Sequence, residues 1–181
     1  MHFFNMMSLE KQNKVKKFKN EKDQRLTVAG EMLARKLLSD YNYIIQEQIV
    51  FEIGEHGKPY AVGCAEFNIS HSGDMVVCCV SDKRIGIDIE MIKPIKSNII
   101  RKLCTESDKR YIYGEDCSNE TNEFSNEQLY RFYEVWTAKE AYFKCIGTGI
   151  KNLKSISFKD LIETRKVYDL GGYLITIIEN K

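Results

Sequence analysis

The 181-residue sequence predicts an α+β fold built from two halves of similar size that meet near Gly86. Three observations carry this. Apolar residues recur at helical spacing in a few well-separated blocks. Short apolar runs with strand character gather in two groups. The resulting order is helix, strands, helix, helix, strands, and no strand–helix–strand alternation runs through it.

The elements follow in order. Val28, Met32, Leu33 and Leu37 predict a helix over 27–38, and 44–53 alternates as a strand does. Gly54, Gly57 and Pro59 mark 54–59 as a loop. Strands are expected at 67–69, 75–80 and 85–89, the last two joined by the polar turn Ser81-Asp82-Lys83. Residues 98–113 read as a helix and the polar, acidic 114–128 as a loop. The clearest helix is 129–146, stopped by Gly147 and Gly149. Strands at 156–158, 166–169 and 173–178 close the chain.

Composition narrows the function. The net charge is +1, with 43% hydrophobic and 29% charged residues, as in an ordinary globular protein. No global charge imbalance points to nucleic acid or to a membrane surface, and no stretch is long enough to span a bilayer. A local basic run does occur: Lys11, Lys14, Lys16, Lys17, Lys19, Lys22 and Arg25, against Glu21 and Asp23. A solvated face has the same composition. The apolar start, Met1 to Met7, is too short for a signal-peptide core. Six cysteines form no CxxC pair, so a zinc site is not expected. Reduced thiols in a cytoplasmic protein are.

Two segments carry carboxylates. In Gly86-Ile87-Asp88-Ile89-Glu90 the period of two places Asp88 and Glu90 on one face of a strand. Paired carboxylates repel, and a hard cation such as magnesium removes the penalty. A solvent-facing edge strand has the same pattern. The 129–146 helix carries Trp136-Thr137-Ala138-Lys139-Glu140-Ala141-Tyr142-Phe143-Lys144. Phe132, Val135, Trp136, Phe143 and Ile146 form its apolar stripe, and Lys139 falls inside the apolar sector, an odd place for a solvated lysine. Glu140 and Lys144, four apart, are either a surface ion pair or a third metal ligand beside an anion-binding lysine.

A third segment, Phe67-Asn68-Ile69-Ser70-His71-Ser72-Gly73, ends a strand in polar groups suited to donate to a phosphate. Neighbouring strand residues face opposite sides, so His71 cannot serve Ser70 or Ser72 as a base. No GxSxG elbow or phosphate-binding P-loop is present.

Together GKP (57–59), FNISHSG (67–73), GIDIE (86–90) and WTAKEAYFK (136–144) resemble the Sfp-type phosphopantetheinyl transferases. The segments stand in the family's order, and LEKQNKVKKF (9–18) resembles its basic first helix. The resemblance implies two pseudo-symmetric halves, each a small antiparallel sheet with a packed helix, and an active site in the cleft between them. The halves would be 1–85, on the 3′-phosphate and adenine side, and 86–181, on the metal and carrier side. It implies coenzyme A as co-substrate and an apo acyl or peptidyl carrier protein as acceptor, with neither nucleic acid nor membrane and with a monomeric enzyme. Asp88, Glu90 and Glu140 would hold Mg2+ on the pyrophosphate, and Lys144 would contact the phosphates. Lys11, Lys14, Thr27 and His71 would face the 3′-phosphate. Gly57, Lys58 and Pro59 would border the adenine, and Ser70 would add a hydrogen bond. The base that takes the carrier serine's proton would be Glu140, a water, or Glu106, which matches another acidic family position. The 102–129 region is the expected carrier surface. Against the family pattern, the sequence is expected to lack the first strand and, ending at Lys181, the last, so that one sheet in each half loses an edge.

Two other classes compete. A magnesium nuclease would want a broad basic face, which the net charge and the acidic 115–127 stretch oppose. A non-catalytic, shortened transferase that retains coenzyme A or carrier binding has the expected loss of terminal strands as its one support, and assay of carrier modification separates the three.

Overall fold

A computed structural model describes residues 2–114, 123–149 and 152–180. The expected carrier-facing loop therefore lies partly outside the described residues, at 115–122. The elements run α1 (His2–Asn5), α2 (Leu9–Lys16), α3 (Glu21–Asn42), β1 (Phe51–Ile53), β2 (Pro59–Ala61), β3 (Glu66–Ser72), β4 (Met75–Ser81) and β5 (Ile85–Met91). Then follow α4 (Ser97–Leu103), α5 (Glu106–Tyr113), α6 (Asn126–Ile146), β6 (Arg165–Asp169) and β7 (Tyr173–Glu179). The strands form three small antiparallel sheets: β1-β2, β3-β4 and β5-β7-β6. The fold is a mixed α+β architecture, with α3 packed on β3 and β4 and α6 on β5 and β7.

Local chemistry explains the boundaries, including those the sequence misplaced. The first long helix is far longer than 27–38. Asn20 caps it by accepting from the Lys22 amide at 2.9 Å, and it runs on until Tyr43 turns left-handed. The expected helix over 98–113 is two helices. Thr105 adopts an extended backbone and, with Asp108, closes a capping box that starts a new one. The strand expected over 44–53 shrinks to Phe51–Ile53. Residues Gln46–Gln48 form a 3-10 turn whose neighbouring carbonyls, those of Gln46 and Ile49, accept from the Arg35 guanidinium. No strand forms at 156–158. The Ser157 and Phe158 amides donate to Asp160 and Asp108, and a 3-10 helix, Phe158–Thr164, follows. A capping box from Ser125 and Gln128 starts α6 three residues before the apolar periodicity, and Gly147, with φ 72°, ends it.

Among the described residues, three apolar clusters hold the chain together. The largest sits under α6, where Phe132, Val135, Ala138 and Ala141 meet Ile100, Ile112, Leu174 and Ile178. A second joins α3 to the first sheets through Leu38, Ile49 and Phe67. The third bridges the two regions with Cys79, Ile85, Ile87, Ile89 and Ile175. Contact between β5 and α6 is close enough that a side chain on Gly86 would overlap the Ala141 carbonyl and the Cys145 nitrogen.

The junction between β3 and β5 is unusual. No backbone ladder joins them. Instead one face of β3 presents Asn68, Ser70 and Ser72, whose side-chain oxygens accept from the backbone amides of Ile87 (2.9 Å), Ile89 (3.4 Å) and Met91 (3.1 Å). Side chains thus satisfy the open edge of β5, which would otherwise present unpaired N–H groups.

Candidate active site

The period-two reading of β5 holds. Ile87 and Ile89 are buried in the bridging cluster, while Asp88 and Glu90 are held from the other side by Ser70 and Ser72. Asp88 is buried. Its Oδ1 accepts from Ser70 at 2.8 Å and from Lys144 Nζ at 2.5 Å, and Lys144 Nζ also donates to Ser70 Oγ at 3.0 Å. Glu140 lies 3.9 Å from the same Lys144 nitrogen, and Glu90 Oε2 accepts from Ser72 at 2.7 Å. The fold thus gathers Ser70, Asp88, Glu140 and Lys144 around one point, with Glu90 and Ser72 beside it.

This grouping is electrostatically strained. Burial pushes the Asp88 carboxyl up to about 6 despite the opposing pull of Lys144 and Ser70, and Glu90 adds to the rise. Burial likewise raises Glu140 to about 7, with repulsion from Asp88 and Glu90 outlasting the help of Lys144. Asp88 Oδ2 is buried and has no hydrogen-bond partner among the described residues. Among those residues no three acidic, histidine or cysteine side chains converge as a metal site. The orphaned oxygen, the mutual repulsion and the all-oxygen donor set nonetheless fit a hard divalent cation such as Mg2+.

The anion-side residues divide. Lys11, Lys14, Gly57 and Pro59 line one cleft of about 900 Å3 between α2, α3 and the β1–β2 hairpin. Two residues missed in the sequence also line it: Glu31 pairs with Lys11 at 3.5 Å and with Arg35 at 3.0 Å, both of them inside the cleft wall. The signal for this pair was their i,i+4 spacing on an amphipathic helix. Lys58, Thr27 and His71 are not in that lining. Lys58 points away to Glu66 (3.4 Å) and the Ile85 carbonyl (3.2 Å). The Thr27 hydroxyl donates to the Asp23 carbonyl at 2.8 Å. His71 is exposed on β3, near the hairpin end that Lys22 of α3 grips through Asp74 at 2.8 Å.

Two further residues receive clear places. Lys139 is the buried partner of Asp108 at 2.5 Å, which explains its position in the apolar sector. Glu106 is exposed on α5. A hydrogen bond from Lys109 lowers its pKa, and its other charged neighbours are Arg110 and Lys154.

A two-region α+β fold with an acidic cluster at the junction of its sheets defines the class. Residues 84–174 match the family model of the 4′-phosphopantetheinyl transferase superfamily, and residues 1–83 match that of the 4′-phosphopantetheinyl transferase N-terminal region. The chain belongs to this superfamily. Among individual relatives, it is 38% identical over 153 residues to the 4′-phosphopantetheinyl transferase gsp of Aneurinibacillus migulanus, covering 82% of this chain and 61% of that protein. It is 33% identical over 150 residues to the 4′-phosphopantetheinyl transferase Sfp of Bacillus subtilis, covering 82% and 63%. A more distant relative is the L-aminoadipate-semialdehyde dehydrogenase-phosphopantetheinyl transferase of Xenopus laevis, 29% identical over 161 residues, covering 83% and 53%. The chain thus spans about three fifths of the length of the first two. No helix among the described residues is long and apolar enough to cross a membrane.

Proposed function

We propose that the chain transfers the 4′-phosphopantetheine arm of coenzyme A to a serine of an acyl or peptidyl carrier protein. The observation that carries this is the cluster of buried Asp88 with half-buried Glu140 and Lys144 and an unpartnered Asp88 oxygen, reached from a family whose relatives bear the name of that reaction. Asp88, Glu90 and Glu140 are the residues to hold Mg2+. When bound, the ion supplies charge neutralisation for the pyrophosphate. The carrier serine oxygen bonds to the β-phosphorus, the bond from that phosphorus to the bridging oxygen breaks, and adenosine 3′,5′-bisphosphate leaves. Lys144 neutralises charge on the departing group. Glu140 stands in the cluster and accepts the serine proton, directly or through a water. Glu106, exposed and surrounded by basic groups, is assigned no part.

The 1–85 half takes the nucleotide end in this reading. Lys11 and Lys14 face the 3′-phosphate from the cleft, Gly57 and Pro59 border the adenine, and Thr27 and His71 approach from the α3 side of β3. Lys58 joins them by turning from Glu66. The 86–181 half holds the metal and meets the carrier along 102–129.

The test is to incubate the protein with coenzyme A, MgCl2 and an apo carrier and to weigh the carrier. A mass gain of one phosphopantetheine is expected. Asp88→Ala and Glu140→Ala should abolish it while circular dichroism stays native. Unmodified carrier with wild-type protein, or full transfer by either variant, overturns the reading; coenzyme A binding without transfer would leave a binding module.

A further inference from the structure

The mechanism above leaves Ser70 and Ser72 without a role in chemistry, although they make the same pattern of bonds twice. Each hydroxyl accepts the backbone N–H of the residue that follows a carboxylate, Ile89 or Met91, and each donates to the carboxylate before it, Asp88 or Glu90. For Ser70 the direction of the proton is forced. Its lone pairs take the Ile89 amide and Lys144 Nζ, so its single proton goes to Asp88 Oδ1. Asp88 is thereby split into an anchored oxygen, Oδ1, and a free one, Oδ2, that is buried and unpartnered among the described residues. Ser72 pins Glu90 through Oε2 in the same way.

We propose that Ser70 and Ser72 are positioning residues: from the opposite strand they fix which oxygen of Asp88 and of Glu90 is turned to the cation. This rests on the reading of that pair as cation ligands. Serine suits the task because a hydroxyl both accepts and donates, so one short side chain reads the strand's register and orients its carboxylate. Hydrogen bonds that orient metal ligands of this kind typically govern metal affinity by 10–100-fold. Asn68 supplies an internal control. It holds the Ile87 amide in the same row but touches neither carboxylate.

The experiment measures Mn2+ affinity by electron paramagnetic resonance in the presence of coenzyme A, and coenzyme A affinity separately in EDTA. Ser72→Ala, at a half-buried position, should weaken Mn2+ binding about tenfold and leave coenzyme A affinity in EDTA unchanged. Ser72→Thr, which keeps the hydroxyl, should restore it. Asn68→Ala should lower the unfolding temperature yet bind Mn2+ as wild type does. Ser70→Ala should weaken Mn2+ binding as Ser72→Ala does. Ser70 is also expected to bond coenzyme A, so the Ser72 pair decides, as it does if Ser70→Ala fails to fold. Wild-type Mn2+ affinity in Ser72→Ala, or an equal loss in Asn68→Ala, overturns the positioning role. Asp88→Asn separates the two levels. If it binds Mn2+ as tightly as wild type, the cation reading itself falls. If it alone loses Mn2+, only the role of the serines does.

Discussion

At the scale of single residues, Asp88 and Glu140 are carboxylates kept where ionisation is costly. Their folded values, about 6 and about 7, stand above the ordinary 3.8 and 4.5. Between those limits the folded state binds more protons than the unfolded state, so stability must fall as pH rises. In EDTA, urea unfolding followed from pH 4 to pH 7 should show this loss, and Asp88→Asn should flatten the lower part of the slope. A wild-type curve that rises through the same window would contradict the assigned burial. How far this was legible is instructive. Period two put Asp88 and Glu90 on one face, and helical spacing put Glu140 beside Lys144. That Lys144 reaches across to Asp88 was not readable, because the contact spans 56 residues and depends on how α6 lies on β5. The residues proposed for the 3′-phosphate show the converse: Lys11 and Lys14 share a cleft with Gly57 and Pro59, but the buried Glu31 that meets Lys11 was invisible without the packing of α2 on α3.

At the scale of elements, most apolar segments were legible, and those whose backbone is held by side chains were not. The last helix and the strands around 67–69, 75–80, 85–89, 166–169 and 173–178 all exist; all but the 166–169 strand, which only packs Val167 against the core, bury apolar side chains. The misread segments at 44–53, 104–105 and 156–158 share a cause. In each, side chains such as Arg35, Asp108 and Asp160 capture backbone groups, and alternation of apolar residues carries no trace of that competition. Asp108 is the strongest case. Burial alone would raise its pKa, but hydrogen bonds from Lys139, Phe158 and Thr105 outweigh burial and hold it low. It ties the start of α5, the middle of α6 and the 3-10 helix at Phe158–Thr164 into one knot. Lys139→Ala would leave this carboxylate buried without its cation, and breaking such a pair costs about 3–5 kcal/mol. Chemical denaturation should register a loss of that size; a change within error would mean that Asp108 finds another partner.

At the scale of the whole molecule, the regions on either side of Gly86 meet through a row of side chains, with the carboxylates standing along it. This arrangement divides the amides of β5 by parity. Even-numbered positions face β7, as the bonds from Ile92 to Gly172 and from Asn180 to Arg84 show, while the amides of Ile87, Ile89 and Met91 face Asn68, Ser70 and Ser72. One strand therefore carries two clocks for deuterium uptake. The even amides should exchange only when the β5-β7-β6 sheet opens, and the odd ones whenever the two regions part, an excursion that opens the bridging cluster but breaks no backbone pairing. Residue-resolved exchange should show two alternating rates along Ile85–Met91, and Asn68→Ala should quicken Ile87 while leaving Asp88 at its former pace. A ligand that bridges the row would slow the odd series alone, so breathing between the regions can be timed without any attached probe.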